Sequence, residues 1–347
     1  MKIVVTGGAG FLGYHIGTKI HEITKPAESV FFDIAEFPKE DYNPEINCIY
    51  GDVRVPSMMD EITKGAEVVI HCAAALPLWK KKDIFETNVE GMRNVCEACL
   101  KNNVGRLIFI SSTSVYGVPK EHPLYETNAR VGVGPYGKSK IMAEEVCEEY
   151  RKKGLNICIL RPKSFIGTAR LGVFQILYDW VESGAKIPII GNGKNRYQLF
   201  EVDDLVDAIN LCATLPAEKT NDTFNVGAAE FKTVKEDVGA MCEYAKTGSR
   251  VMGTPAWLIK PVLRFFEILN LSPLYKWIYG TADTDSFVSI EKARKTLGWN
   301  PKYSNADALI RSYQWYLENK HHIAKGTGVT HRIAWKQGIL ALFKKIL

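Results

Sequence analysis

Along its first half the chain alternates between two patterns of apolar positions. Short runs rich in Val, Ile and Phe, at 2–6, 29–32, 47–50, 67–71, 106–110 and 155–160, have the length and β-branched content of buried strands. Between them lie stretches whose apolar residues recur at helical steps: one following the glycines at 7–13 and running to about 25, another at 57–63, a long one holding Phe85, Val89, Met92, Val95, Cys96 and Cys99, and another from Tyr136 through Ala143, Val146, Cys147 and Tyr150. This repetition predicts an α/β fold built on a doubly wound parallel sheet, because parallel neighbours need a crossover to bring the chain back. From Gly172 the pattern changes to helical periods at 174–182, 202–212, 233–244, 255–270 and 306–318, with brief strands at 187–190 and 223–226. We therefore expect a sheet domain over 1–170, a smaller and mostly helical substrate lobe over 171–320 with some segments returning to the sheet, and a tail over 321–347. An apolar face of Trp257, Leu258, Phe265, Phe266 and Leu269 reads as lobe core or pocket wall, its spacing serving both.

Composition narrows the class. With 347 residues, 46% hydrophobic and 24% charged, the chain is neither disordered nor fibrous and can bury a large core. The opening Met1-Lys-Ile-Val-Val-Thr6 lacks the pattern of a secretory signal, and no stretch offers the roughly 18 apolar residues of a spanning helix. The eight cysteines fall mostly inside apolar periodic segments, as reduced thiols of a cytoplasmic protein would. Cys96 and Cys99 form a CxxC without a second ligand pair, and the seven histidines show no HExxH spacing, so no metal site is expected. The net charge of +5 is concentrated at the end of the chain: Lys320, Lys325, Arg332, Lys336, Lys344 and Lys345 carry the tail, which has no acid. The body is then close to neutral, which argues against nucleic acid as a partner.

Chemistry gathers at the predicted strand ends. Glycines 7, 10 and 13 between the first strand and its helix permit a tight turn, close approach of a pyrophosphate and tight helix packing. The second strand ends in Asp33, an acid placed to bind a ribose diol and repel a 2′-phosphate, which favours NAD over NADP. Ala73, Ala74 and Ala75 would let backbone lie against a flat dinucleotide, and the loop from Leu76 through Trp79 turns apolar before Lys80, Lys81 and Lys82. Hydroxyls at Ser111, Ser112, Thr113 and Ser114 follow the strand at 106–110. Tyr136 and Lys140, four apart on a helix, can converge so that the ammonium favours phenolate. Hydroxyl, phenol and ammonium together form a candidate proton relay.

These pieces resemble the extended short-chain dehydrogenase/reductase superfamily, in particular its NAD-dependent epimerase/dehydratase branch, with a Rossmann-type sheet. The matching motifs are TGGAGFLG at 6–13, Asp33, GDV at 51–53, HCAAA at 71–75, NVEG at 88–91, SSTSVYG at 111–117, YGKSK at 136–140, RP at 161–162 and VDDLVDAI at 202–209. The resemblance implies that Ser112 holds the substrate hydroxyl, Tyr136 is the acid/base and Lys140 contacts the nicotinamide ribose. It also implies that Asp52 and Val53 meet the adenine, that Pro162 and Ser164 lie by the nicotinamide, and that Phe11, Leu12, Asn88 and Ser111 join the cofactor site. For substrate it leaves Leu76, Trp79, Ser112, Thr113, Lys163 and Arg196. Sugar-nucleotide members usually carry an arginine before VDDL that pairs with the diphosphate; here Tyr197 stands at the matching place, with Arg196 one residue early. That departure and the apolar loop at 76–79 resemble the 3-beta-hydroxysteroid dehydrogenase-like branch.

The function expected is thus transient oxidation of a nucleotide sugar by NAD, leading to epimerisation or dehydration. The alternative is net dehydrogenation of a steroid or other lipid alcohol. The resemblance also implies a homodimer built on the helices near 84–102 and 136–153. In the tail, Trp335, Ile339, Leu342, Phe343 and Ile346 share one helical face among basic residues, which predicts peripheral contact with the inner face of a membrane or docking on the protein itself.

Overall fold

A computed structural model describes residues 1–269, 276–321 and Lys344, so the predicted helix of the tail lies outside the described residues. Strands β1 (Ile3–Thr6), β2 (Ser29–Asp33), β3 (Asn47–Tyr50), β4 (Val68–His71), β5 (Arg106–Ile110) and β6 (Ile157–Pro162) lie close to their predicted positions. With β7 (Ser164–Ile166), β8 (Ile187–Ile190), β9 (Leu199–Glu201), β10 (Thr223–Val226) and β11 (Val251–Thr254), they form one large sheet and two small ones. The large sheet has seven parallel strands in the order β10-β6-β5-β4-β1-β2-β3. The order reverses beside β1, which opens a crevice at the carboxyl ends of β1 and β4.

Residues of a strand alternate between two cores, as the two-residue period requires. Ile3 and Val5 face one cluster and Val4 the other. The first cluster is closed by α1 (Phe11–Lys19), α7 (Val202–Thr214) and α12 (Glu291–Leu297). The second is closed by α2 (Pro56–Thr63), α4 (Gly91–Lys101) and α5 (Gly134–Lys152). The helix predicted to run to about Lys25 ends at Lys19 and passes into a 3-10 turn over Ile20–Glu22. The long helix predicted before β5 is three pieces: α3 (Lys81–Phe85), a π-helical turn at Glu86–Glu90, and α4.

The remaining helices are α6 (Val173–Glu182), the short α8 (Ala217–Thr220), α9 (Val234–Ala245), α10 (Ala256–Ile268), α11 (Lys276–Thr281) and α13 (Asn305–Asn319). Helices α6, α9 and α13 bury Tyr178, Met241 and Tyr313 in a third core, that of the lobe. Strand β10 joins the large sheet as its edge beside β6, so part of the second half completes the first domain. The VDDL aspartate has a structural role: Asp204 accepts from the backbone of Lys302 at 2.9 Å and Tyr303 at 3.1 Å, fixing the C-terminal return. The apolar face of α10 is neither lobe core nor pocket wall. Trp257 is 78% exposed and Phe265 59%, with Leu258 and Leu269 nearly half exposed.

Candidate active site

The turn after β1 is shaped by contacts that leave no room for a side chain. Gly7 has φ +74°, and a Cβ there would lie 2.6 Å from the Ala73 nitrogen. Gly13 is just as constrained, since its Cβ would meet the Gly7 and Gly8 carbonyl oxygens at 2.4 Å. Gly13 therefore serves helix packing and is not on the cleft wall, whereas Gly7, Gly10, Phe11 and Leu12 are. The cleft encloses about 1270 Å³ between the strand ends and the lobe.

Asp33 stands at the end of β2. Its carboxylate accepts from Ala9 N at 2.9 Å and Ala35 N at 3.0 Å, which fixes its orientation beside the glycine turn. Burial raises its pKa while these backbone donors pull the other way. Asp52 is also on the wall; burial raises its pKa, but Arg54 hydrogen bonds at 2.6 and 2.8 Å leave it lowered. Val53, Ala73, Ala74 and Ala75 continue this side of the cleft. Asn88 does not line it. Its Oδ1 accepts from Ala75 N at 2.8 Å and its Nδ2 donates to Ser139 Oγ at 2.9 Å, so it ties the alanine loop to the helix carrying Tyr136. The π-helical turn is what presents Asn88 there, a common use of such turns at functional sites.

Lys140 reaches across from α5 and is only 2% exposed. Its Nζ donates to the Ile110 carbonyl at 2.9 Å and lies 4.8 Å from the Phe109 ring centre and 5.9 Å from that of Tyr136. Burial lowers its pKa to about 8. Tyr136, Ser111, Ser112 and Thr113 all line the cleft. The Ser112 hydroxyl accepts from Ser114 N at 3.1 Å, which caps the turn at Thr113–Tyr116. Ser111 turns back instead, donating to Glu144 Oε1 at 2.6 Å.

Glu144 belongs to a network that motif reading missed. Fully buried, it accepts from Arg161 at 2.6 and 2.9 Å and from Arg130 at 3.0 Å. Arg161 also donates to Tyr116 Oη at 2.8 Å, and Tyr116 donates to Asn225 Oδ1 at 2.7 Å. Burial would lower the guanidinium's pKa, but Glu144 holds it above the ordinary arginine value. The network clamps α5, β6 and β10 together.

Leu76, Trp79, Pro162, Lys163 and Ser164 also line the cleft. The Trp79 Nε1 is buried with no acceptor among the described residues. Lys163, 5% exposed, donates to Ser286 Oγ at 2.7 Å and lies 4.9 Å from the Tyr197 ring centre. Burial lowers its pKa to about 7. The expectation for Arg196 is corrected. Its guanidinium sits 4.7 Å from the ring centres of both Phe231 and Phe287, away from the cleft wall, while Tyr197 occupies the wall. Arg170 is a wall cation that the sequence did not single out; its guanidinium lies 5.0 Å from the Phe11 ring centre.

At one end the cleft offers a glycine turn too tight for side chains and an oriented carboxylate; at the other, hydroxyls and a phenol backed by a buried ammonium. A dinucleotide fits the first end, and proton transfer beside its reactive ring fits the second. Fold and site thus define an extended short-chain dehydrogenase/reductase.

Comparison with known proteins refines the class. The sequence profile of the NAD dependent epimerase/dehydratase family matches residues 3–227. The protein y4nG of Sinorhizobium fredii, itself uncharacterized, is 33% identical over 98% of this chain and 84% of its own length. A UDP-glucose 4-epimerase of Lactobacillus helveticus is 27% identical over 91% of this chain and 97% of its own. N-acetyl-alpha-D-glucosaminyl-diphospho-ditrans,octacis-undecaprenol 4-epimerase of Escherichia coli O157:H7 is 32% identical over 60% of this chain and 62% of its own. The solved UDP-glucose 4-epimerase of Thermotoga maritima superposes with a TM-score of 0.73 at 25% identity, covering 92% of this chain and all of its own. The chain belongs to the NAD-dependent epimerase/dehydratase family. It is an enzyme of the extended short-chain type, and its cofactor is NAD.

Proposed function

We propose that the enzyme epimerises a diphosphate-linked sugar, with Ser112, Tyr136 and Lys140 as its proton relay. The observation that carries this reading is the buried Lys140 ammonium 5.9 Å from the Tyr136 ring centre on the wall of the dinucleotide cleft. When bound, NAD would supply the acceptor for the hydride of the sugar carbon and the donor for its return. Tyr136, as phenolate, accepts the proton of the hydroxyl on that carbon and gives it back after the ketone has turned its other face. Lys140 acts through its field on the phenolate, and the Ser112 hydroxyl, whose acceptor side is occupied by Ser114 N, donates to the substrate oxygen. Gly7, Gly10, Phe11 and Leu12 would hold the pyrophosphate, Asp33 the adenosine ribose, Asp52 and Val53 the adenine, and Pro162 and Ser164 the nicotinamide side.

One feature of the wall supports a lipid rather than a nucleoside beyond the diphosphate: Leu76 and Trp79 make the loop after β4 apolar. The Escherichia coli relative, named for an undecaprenol-linked sugar, accords with this. Trp79 Nε1, Thr113 and Lys163 are the polar groups we assign to the sugar and its first phosphate. The test is to offer UDP-N-acetylglucosamine and polyprenyl-diphosphate N-acetylglucosamine to the NAD-loaded enzyme. The reading expects interconversion of epimers, faster on the polyprenyl carrier, with no accumulation of NADH. Net NADH formation from a lipid alcohol, with neither sugar changed, would favour a dehydrogenase instead.

A further inference from the structure

Helix α10 inverts the usual polarity of a surface helix. Its exposed residues are Trp257, Leu258, Pro261, Arg264, Phe265 and Leu269, while Leu263 packs inward. Trp257, Pro261, Phe265 and Leu269 follow one another at steps of four, one row along the helix. None of them lines the cleft. A contiguous apolar face of this kind marks an interaction surface.

Charge and position indicate its occupant. Beside this face Arg264 is exposed, whereas Lys260 is neutralised by Asp283, and the tail after 321 carries Lys325, Arg332, Lys336, Lys344 and Lys345 with no acid. Lys344 pairs with Asp179 of α6 at 2.5 Å, on the lobe that carries α10. The face also continues into the cleft's rim: Lys260 Nζ donates to the Gly280 carbonyl at 3.2 Å and pairs with Asp283 at 2.5 Å, and Gly280, Thr281 and Ala282 line the cleft. Apolar side chains with tryptophan on one face and cations alongside are the makings of a helix that lies in the headgroup layer of an anionic bilayer.

We propose that α10 is such an interfacial helix. Trp257, Leu258, Phe265 and Leu269 enter the acyl boundary, Arg264 meets lipid phosphates, and the rim of the cleft comes to rest at the membrane surface. Among the described residues no helix is long and apolar enough to cross a membrane, so the contact is with one leaflet. The proposal goes beyond the epimerase reading and does not depend on it.

Flotation of the full-length protein tests it, using vesicles of phosphatidylglycerol and phosphatidylcholine beside vesicles of phosphatidylcholine alone. The wild type should float with the anionic vesicles and be partly released by high salt. The Trp257→Ser/Phe265→Ser variant should lose at least about tenfold in partitioning, since two large apolar anchors go, while calorimetry shows NAD still bound. If that variant fails to bind NAD, Arg264→Glu, at an exposed position, should lower partitioning to anionic vesicles several-fold and leave NAD binding intact. A wild type that does not float, or variants that float as it does, overturns the proposal. So does a variant whose only change is loss of self-association in sedimentation, which would make the face a contact between copies.

Discussion

Lys163 shows how burial sets chemistry at the residue scale. Lys163 ionises near 10.5 in an unfolded chain but at about 7 in the fold, because burial penalises the ammonium. Between those values the unfolded chain binds more protons, so stability rises with pH across this window. Lys163→Met should therefore stabilise the protein by on the order of 2 kcal/mol near neutral pH, a gain that fades toward pH 10.5. Chemical denaturation at a series of pH values checks this; a gain that grows with pH contradicts it. Asp33 carries the second prediction. A like charge beside a 2′-phosphate should cost more than ~1.4 kcal/mol, so calorimetry should show at least about tenfold preference for NAD over NADP. Equal affinity would remove that role. That Tyr136, Lys140, Ser112 and Asp33 line one cleft was legible because their spacing fixes their place on a strand end or helix face. Arg196 was misread because the rings that hold it, Phe231 and Phe287, are far away in sequence.

Elements are locked together by pairings that no motif announces. Glu144 and Arg161 join α5 to β6 in a buried pair at 2.6 Å, and such a pair is recognisable only once the two elements are side by side. Removing one partner leaves an uncompensated charge, so Glu144→Gln or Arg161→Met should each cost about 3–5 kcal/mol, and the double variant less than their sum. Thermal denaturation through the cycle measures the coupling, and simple additivity would show that the pair does not act as a unit. Gly13→Ala should cost about 1–3 kcal/mol by overpacking the turn and should weaken NAD binding with it. The strands of the large sheet were readable from their apolar runs, whereas β7, β9 and β11 were not, being three or four residues long with weak alternation.

At the scale of the molecule, the cleft lies between the strand ends of the large sheet and the helical lobe, and β10 ties the second half of the chain to the sheet edge. The doubly wound architecture was legible because strand and helix periods alternate without ambiguity. The exposure of α10 was not, because an amphipathic period looks the same whether its apolar face meets a core or solvent. Dimerisation through α4 and α5 is expected from the family resemblance, and sedimentation showing only monomer would remove it. The central claim is that the enzyme moves a hydride away from one sugar carbon and back with Tyr136 handling the proton. It is tested most directly by following a diphosphate-linked N-acetylhexosamine deuterated at the inverting carbon, with wild type and Tyr136→Phe both loaded with NAD. The wild type should invert that carbon and keep its deuterium, and Tyr136→Phe should bind NAD equally well yet turn over roughly 10²–10⁴-fold more slowly. A Tyr136→Phe enzyme that keeps most of its rate, or deuterium lost to water during inversion, would contradict the account.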